Sequence, residues 1–75
     1  TISYQIPSAT HVTLSVYNLL GQEIRRLVDA QQSAGDNAVS WNGMDEDGYH
    51  VSSGVYLYRL QCGDRSFTRR MLVLE

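Results

Sequence analysis

Apolar and polar positions alternate along most of this chain, the signature of strands with one face buried. Ile2, Tyr4 and Ile6 recur at a period of two until Pro7 ends the run. That predicts an edge strand, then a turn at Pro7-Ser8-Ala9-Thr10. Val12, Leu14 and Val16 alternate with Thr13, Ser15 and Tyr17, a clear half-buried strand broken by Asn18-Leu19-Leu20-Gly21. Gly21 is expected to supply a positive φ in the hairpin turn. The strongest β run covers Val55 to Cys62, with Tyr56, Tyr58 and Leu60 predicted inward and Arg59 and Gln61 outward. Gly63-Asp64 then turns the chain into a final strand, Ser66 to Leu74.

Two stretches are less regular. Ile24 and Leu27 are three apart, which a flat strand does not allow. A β-bulge at Arg25-Arg26 would place both on one face. The alternative is an amphipathic helix over residues 22–32, with apolar positions 24, 27, 28 and 30. The bulged strand is favoured because strands flank the segment and no N-cap residue opens it. Residues 30–37 are polar around Gly35 and read as a loop, followed by a fourth strand at Val39 and Trp41. Gly43-Met44-Asp45-Glu46-Asp47-Gly48 has tight-turn chemistry. Strands at this spacing, with turn signals between them, predict an all-β, immunoglobulin-like antiparallel β-sandwich of about seven strands.

Composition narrows the picture. Seventy-five residues make one domain, expected to fill residues 1–75. A chain this short buries only roughly 60% of its unfolded surface, so its core matters disproportionately. The single cysteine, Cys62, excludes an internal disulfide, leaving Trp41, the five tyrosines, Phe67 and the β-branched residues to fill the interior. A net charge of −2 gives no footprint for nucleic acid or a membrane surface. No apolar run approaches the roughly 18 residues that cross a bilayer. The opening Thr-Ile-Ser-Tyr has neither an initiator Met nor a charged leader, as expected of a module cut from a longer protein.

Candidate chemistry is sparse. Asp45 and Asp47, with Glu46 between them and Gly48 after, resemble the start of a calcium loop, but no acidic residue closes it near position 53. They are weak metal candidates beside the simpler role of side chains bonding their own turn. His11, His50 and Cys62 have no metal-ligand spacing, and Cys62 is expected to be inert. There is no Gly-x-Ser-x-Gly elbow and no phosphate loop. The chain is read as no enzyme, with no cofactor. Tyr17 and Tyr49 are the tyrosines expected at the surface, where they would suit carbohydrate stacking; Trp41, Tyr56 and Tyr58 are assigned to the core. Arg65, Arg69 and Arg70 cluster near the end. They either guard an edge strand or present guanidinium groups to an acidic partner.

An ordered set of segments carries a family resemblance: residues 1–7 (Thr-Ile-Ser-Tyr-Gln-Ile-Pro), 16–24 (Val-Tyr-Asn-Leu-Leu-Gly-Gln-Glu-Ile), 27–29, 34–35, 39–45 (Val-Ser-Trp-Asn-Gly-Met-Asp), 47–48, 53–56 (Ser-Gly-Val-Tyr) and 70–74 (Arg-Met-Leu-Val-Leu). It resembles the C-terminal sorting domain of type IX secretion cargo, and equally the immunoglobulin-like domain of flagellar hook-capping proteins. The sorting resemblance implies a non-catalytic module that directs secretion and cell-surface attachment of a larger protein. It would pass through the periplasm to the cell surface or outside. Its partners would be secretion and outer-membrane machinery and the upstream domain of its parent, with no nucleic acid. The resemblance also implies that Gly54, Val55 and Tyr56, together with Arg69, Arg70, Met71, Leu72, Val73 and Leu74, are read by that machinery. Arginine stands where such domains usually carry lysine. Two other functions remain open: a carbohydrate-binding accessory module of a secreted glycoside hydrolase, and a structural hook-cap-like domain.

Overall fold

A computed structural model describes residues 1–74 and contains six strands among them, all paired antiparallel. They are β1 (Ile2–Ile6), β2 (Thr10–Tyr17), β3 (Glu23–Gln32), β4 (Gly35–Val39), β5 (Gly54–Cys62) and β6 (Arg65–Val73). One sheet holds β1 and β4; the other has the order β3-β2-β5-β6. The expected count of about seven is therefore corrected to six. The stretch between β4 and β5 forms a compact turn, closed by the isolated bridge Met44↔His50, where another strand had room to form.

The alternation predicted for β2 is what makes it the centre of the molecule. Val12, Leu14 and Val16 are completely buried, and β2 is paired on both sides. Ile2 and Ile6 from the small sheet join Val12, Leu14, Leu60 and Cys62 from the large one in a single hydrophobic cluster. Tyr4, Leu27, Val28, Val39 and Tyr58 pack around it. On the opposite face of β2, Ser15 is buried between its cross-strand neighbours Arg26 and Arg59, and its Oγ makes no hydrogen bond of normal geometry.

The ambiguous segment 22–32 is a strand, not a helix, and it is bulged. The ladder runs Leu14↔Val28 to Ser15↔Arg26, then Val16↔Arg25 to Tyr17↔Glu23, so Leu27 and Ile24 are the extra residues. The bulges thus fall on the apolar residues beside Arg25-Arg26 rather than on the arginines. Three further expectations are corrected. Much of the polar stretch 30–37 is strand: β3 continues to Gln32, and β4 begins at Gly35 and pairs with β1 from Ile6↔Gly35 to Ile2↔Val39. Trp41 lies outside any strand. Its indole N–H donates to the Met44 carbonyl at 2.9 Å, and its ring meets Tyr56 edge-on, with centroids 5.9 Å apart. It is half-buried, walling the turn rather than filling the core. Phe67, counted on for core bulk, is 48% exposed.

The turns at Gly21 and Gly63 are as read, whereas Thr10, read as part of the turn after Pro7, opens β2. Gly21 has φ 84°, and the Asn18 side chain accepts from the Leu20 and Gln22 amides at 2.9 and 3.0 Å. Gly63, with φ 61°, holds the first central position of a two-residue hairpin between Cys62 and Arg65. A glycine there fits a type II′ turn, whose twist matches the flanking strands.

Candidate functional site

The β5–β6 hairpin fixes which way each backbone group of β6 points. In a two-residue hairpin the residues flanking the turn exchange both hydrogen bonds, and such pairs then alternate along the ladder. Cys62↔Arg65 is the flanking pair, and the register runs without a shift to Gly54↔Val73. Arg65, Phe67, Arg69 and Met71 therefore bond to β5. Ser66, Thr68, Arg70 and Leu72 turn their N–H and C=O groups away from the sheet. Among the described residues none of these outward groups has a protein partner.

Side chains on β6 follow the same parity. Those opposite Cys62, Leu60, Tyr58 and Tyr56 share the core-side face: Arg65, Phe67, Arg69 and Met71. The small sheet does not reach far enough to cover them. Phe67 and Arg69 instead line an open cleft with Tyr58 and Leu60, facing Ser3, Tyr4 and Gln5 of β1. Arg70 and Leu72 stand on the other face, Leu72 65% exposed, and Leu74 beyond the strand is 80% exposed. No carboxylate lies within ion-pair distance of Arg65, Arg69 or Arg70 among the described residues.

The opposite edge of the same sheet is covered at its end near residues 24–26. Glu46, on the 45–48 turn, donates its amide to the Ile24 carbonyl at 3.2 Å and accepts the Arg26 N–H on its carboxylate at 2.7 Å. The Arg25 guanidinium reaches the Asp45 carbonyl at 3.1 Å. Along β3 itself Arg26 contacts Glu23 and Asp29 at 3.1 and 3.4 Å, and His11 Nε2 of β2 donates to Asp29 at 2.6 Å. The His11 hydrogen bond, more than the Arg26 contact, holds the Asp29 carboxyl below its ordinary range. Glu23 is held low as well, chiefly by the nearby Ser15 hydroxyl and then by Arg26.

The residues singled out from the sequence fall into distinct places. Gly54, Val55 and Tyr56 lie on β5 directly opposite Val73, Leu72 and Met71, so the two segments named as a recognition unit are neighbours in one sheet. β5 pairs with β6 along its whole length but with β2 only from Leu57 to Cys62, so Gly54, Val55 and Tyr56 lie past the end of β2; Tyr56 is buried, its hydroxyl donating to the Ser52 carbonyl at 2.7 Å. The longest accessible stretch of backbone on this side of the sheet belongs to β6. Asp45 Oδ1 accepts from the Asp47 and Tyr49 amides at 2.9 and 3.0 Å, and the Gly48 amide donates to its carbonyl, which is the turn role. Among the described residues no three His, Cys, Asp or Glu side chains gather closely enough to hold a metal ion. Cys62 points into the core, while His11 lies on the other face of β2 with Asp29. Tyr49 is 72% exposed on the turn and Tyr17 half-buried at the end of β2; the aromatic contact found among the described residues is Trp41–Tyr56. No helix of the described residues is long and apolar enough to cross a membrane. The sequence reading placed Phe67 and Thr68 in the final strand but not among its recognition residues. The signal was there, since Gly63-Asp64 alone sets the parity of everything after it.

The profile of the FlgD Ig-like domain family matches residues 1–65. The chain belongs to that family. A solved structure, FlgD from P. aeruginosa, superposes with a TM-score of 0.74 at 27% identity, covering 93% of this chain and 54% of that one. The FlgD-like chain thus spans about half the length of that structure. No curated protein matches it. Of the two resemblances seen in the sequence, the profile names the hook-capping one. The FlgD Ig-like family is a structural, non-catalytic one, in line with the reading as no enzyme.

Proposed function

We propose that this immunoglobulin-like domain, a six-stranded sandwich, is the docking module of a larger protein and directs its secretion and cell-surface attachment by the type IX pathway. The observation that carries the reading is β6. It is a basic-then-aliphatic strand whose outer backbone groups are unpaired among the described residues, on a sheet whose other edge is partly covered by the 45–48 turn. A transport machine that accepts many cargoes needs a small folded tag with an edge to grip, and strand addition supplies affinity through the main chain. The test is removal of residues 69–75 from the parent protein. Cargo held in the periplasm supports the reading, and normal export overturns it.

The family match favours a second reading, a structural domain of a hook-cap-like assembly. Here the module would act as a spacer or contact between subunits. A parent gene among flagellar genes, with hook assembly lost on deleting the domain, would establish this in place of sorting.

A further inference from the structure

We infer that β6 takes as its partner an acidic, extended protein strand, added antiparallel to its outer edge. This rests on the docking reading above and specifies the chemistry of the partner.

The inference starts from charge. Residues 65–74 carry three arginines and no carboxylate, and none of the three guanidinium groups has an ion-pair partner among the described residues. A second copy of this chain is the wrong occupant. Pairing two β6 strands through their middles would set Arg69 or Arg70 against its own image, and like charges directly opposite destabilise a ladder. A carboxylate in the same place is attracted and accepts bidentate guanidinium hydrogen bonds.

Parity then gives the partner a pattern. Arg69 lies on the core-side face and Arg70 on the other, so two adjacent acidic residues are needed, one for each face. Two positions further along on the core-side face the partner meets the exposed ring of Phe67; two positions the other way, on the outer face, it meets Leu72. Both call for apolar side chains. The incoming strand therefore reads apolar-x-acidic-acidic-x-apolar. Its backbone bonds to the outward groups of Ser66, Thr68, Arg70 and Leu72.

The test uses the isotope-labelled chain and two synthetic peptides, one containing Val-Thr-Glu-Glu-Thr-Val and one with Lys-Lys in place of Glu-Glu. The acidic peptide is expected to shift and protect the amides of Ser66, Thr68, Arg70 and Leu72. It should bind at least about ten-fold more tightly than the lysine peptide and weaken as salt rises. In the Arg69→Glu/Arg70→Glu variant the preference should invert. Equal affinity for both peptides, or no response in β6 at millimolar acidic peptide, overturns the inference. Two variants in the parent protein separate this failure from failure of the docking reading. Thr68→Pro removes an N–H that β5 does not use, on an edge where proline is tolerated; the double arginine variant alters exposed side chains alone. If both stop export, both readings are supported. If Thr68→Pro stops export while the double variant is exported normally, β6 docks but its partner is not acidic. If both are exported normally, β6 is no docking edge.

Discussion

β3 and β6 flank the same sheet, and their outer sides differ in ladder, cover and charge. β3 is interrupted twice, at Ile24 and Leu27, and the acidic turn at 45–48 bonds directly to its backbone. β6 runs from Arg65 to Val73 against β5 with no register shift, and nothing among the described residues covers its far side. Both are answers to one problem, since an exposed strand edge invites pairing with whatever arrives. Bulges and a docked turn hinder any partner along the stretch they occupy. Like charges close an edge only to copies of itself. The difference teaches that one edge is broken and partly covered while the other is continuous and selective.

The largest expected effect tests whether the β6 side is truly uncovered. Leu14→Ala, at the fully buried centre, should cost about 2–5 kcal/mol. Phe67→Ala, on the open cleft, should cost no more than about 1.5 kcal/mol, because half the ring already meets solvent. Urea denaturation of both variants checks this. A Phe67 cost as large as that of Leu14 would mean the cleft is filled in solution, and the comparison would break.

The covered end of β3 can be opened in two steps. Asp45→Ala removes the acceptor of two turn amides and should cost about 1–2 kcal/mol, in the manner of a lost helix cap. It also frees the platform that presents Glu46. Glu46→Ala leaves the turn intact and removes only the acceptor for the Arg26 amide, for about 1 kcal/mol. Amide hydrogen exchange gives the finer reading. In the unaltered chain the Arg26 amide should be protected while the Thr68 amide exchanges quickly. Glu46→Ala should bring the first close to the second. Slow exchange at Thr68 in the free monomer would contradict the open edge.

Much of this contrast was readable from residue order, and the reasons for the rest are physical. The fully buried triplet of β2 and the inward Tyr56 and Leu60 of β5 follow from alternation, because local period and tertiary burial agree there. The Gly63-Asp64 turn fixed the register of β6 for the same reason. β4 was hidden because Gly35-Asp36-Asn37 has loop composition and becomes strand only by pairing with β1. Trp41 looked like a strand residue, yet its indole N–H needed a partner and found one on the turn at Met44. A bulge in residues 22–32 was legible from the three-residue spacing, but its position depends on which β2 residue lies opposite. The open edge is of the same kind. No local pattern states that a strand lacks a neighbour; only the arrangement of all the others does.

The smallest effect is a pH dependence that should belong to one edge only. The His11 hydrogen bond and then Arg26 lower the folded-state pKa of Asp29, and Ser15 and then Arg26 lower that of Glu23. For carboxylates held low, the stabilisation is fully present above their unfolded values and is lost as pH falls through the folded ones. The window therefore lies below about pH 4. These groups are exposed, so screening keeps the contribution small. Between pH 6 and pH 3, after correction for intrinsic exchange chemistry, protection of the β3 amides should fall. Amides of β6, which has no carboxylate, should show no such loss. Asp29→Asn should flatten the β3 response and leave β6 as it was. A parallel loss on both edges would mean that acid loosens the whole sheet rather than the charged belt along β3. The electrostatic part of the contrast would then be gone, leaving the bulges and the docked turn to account for it.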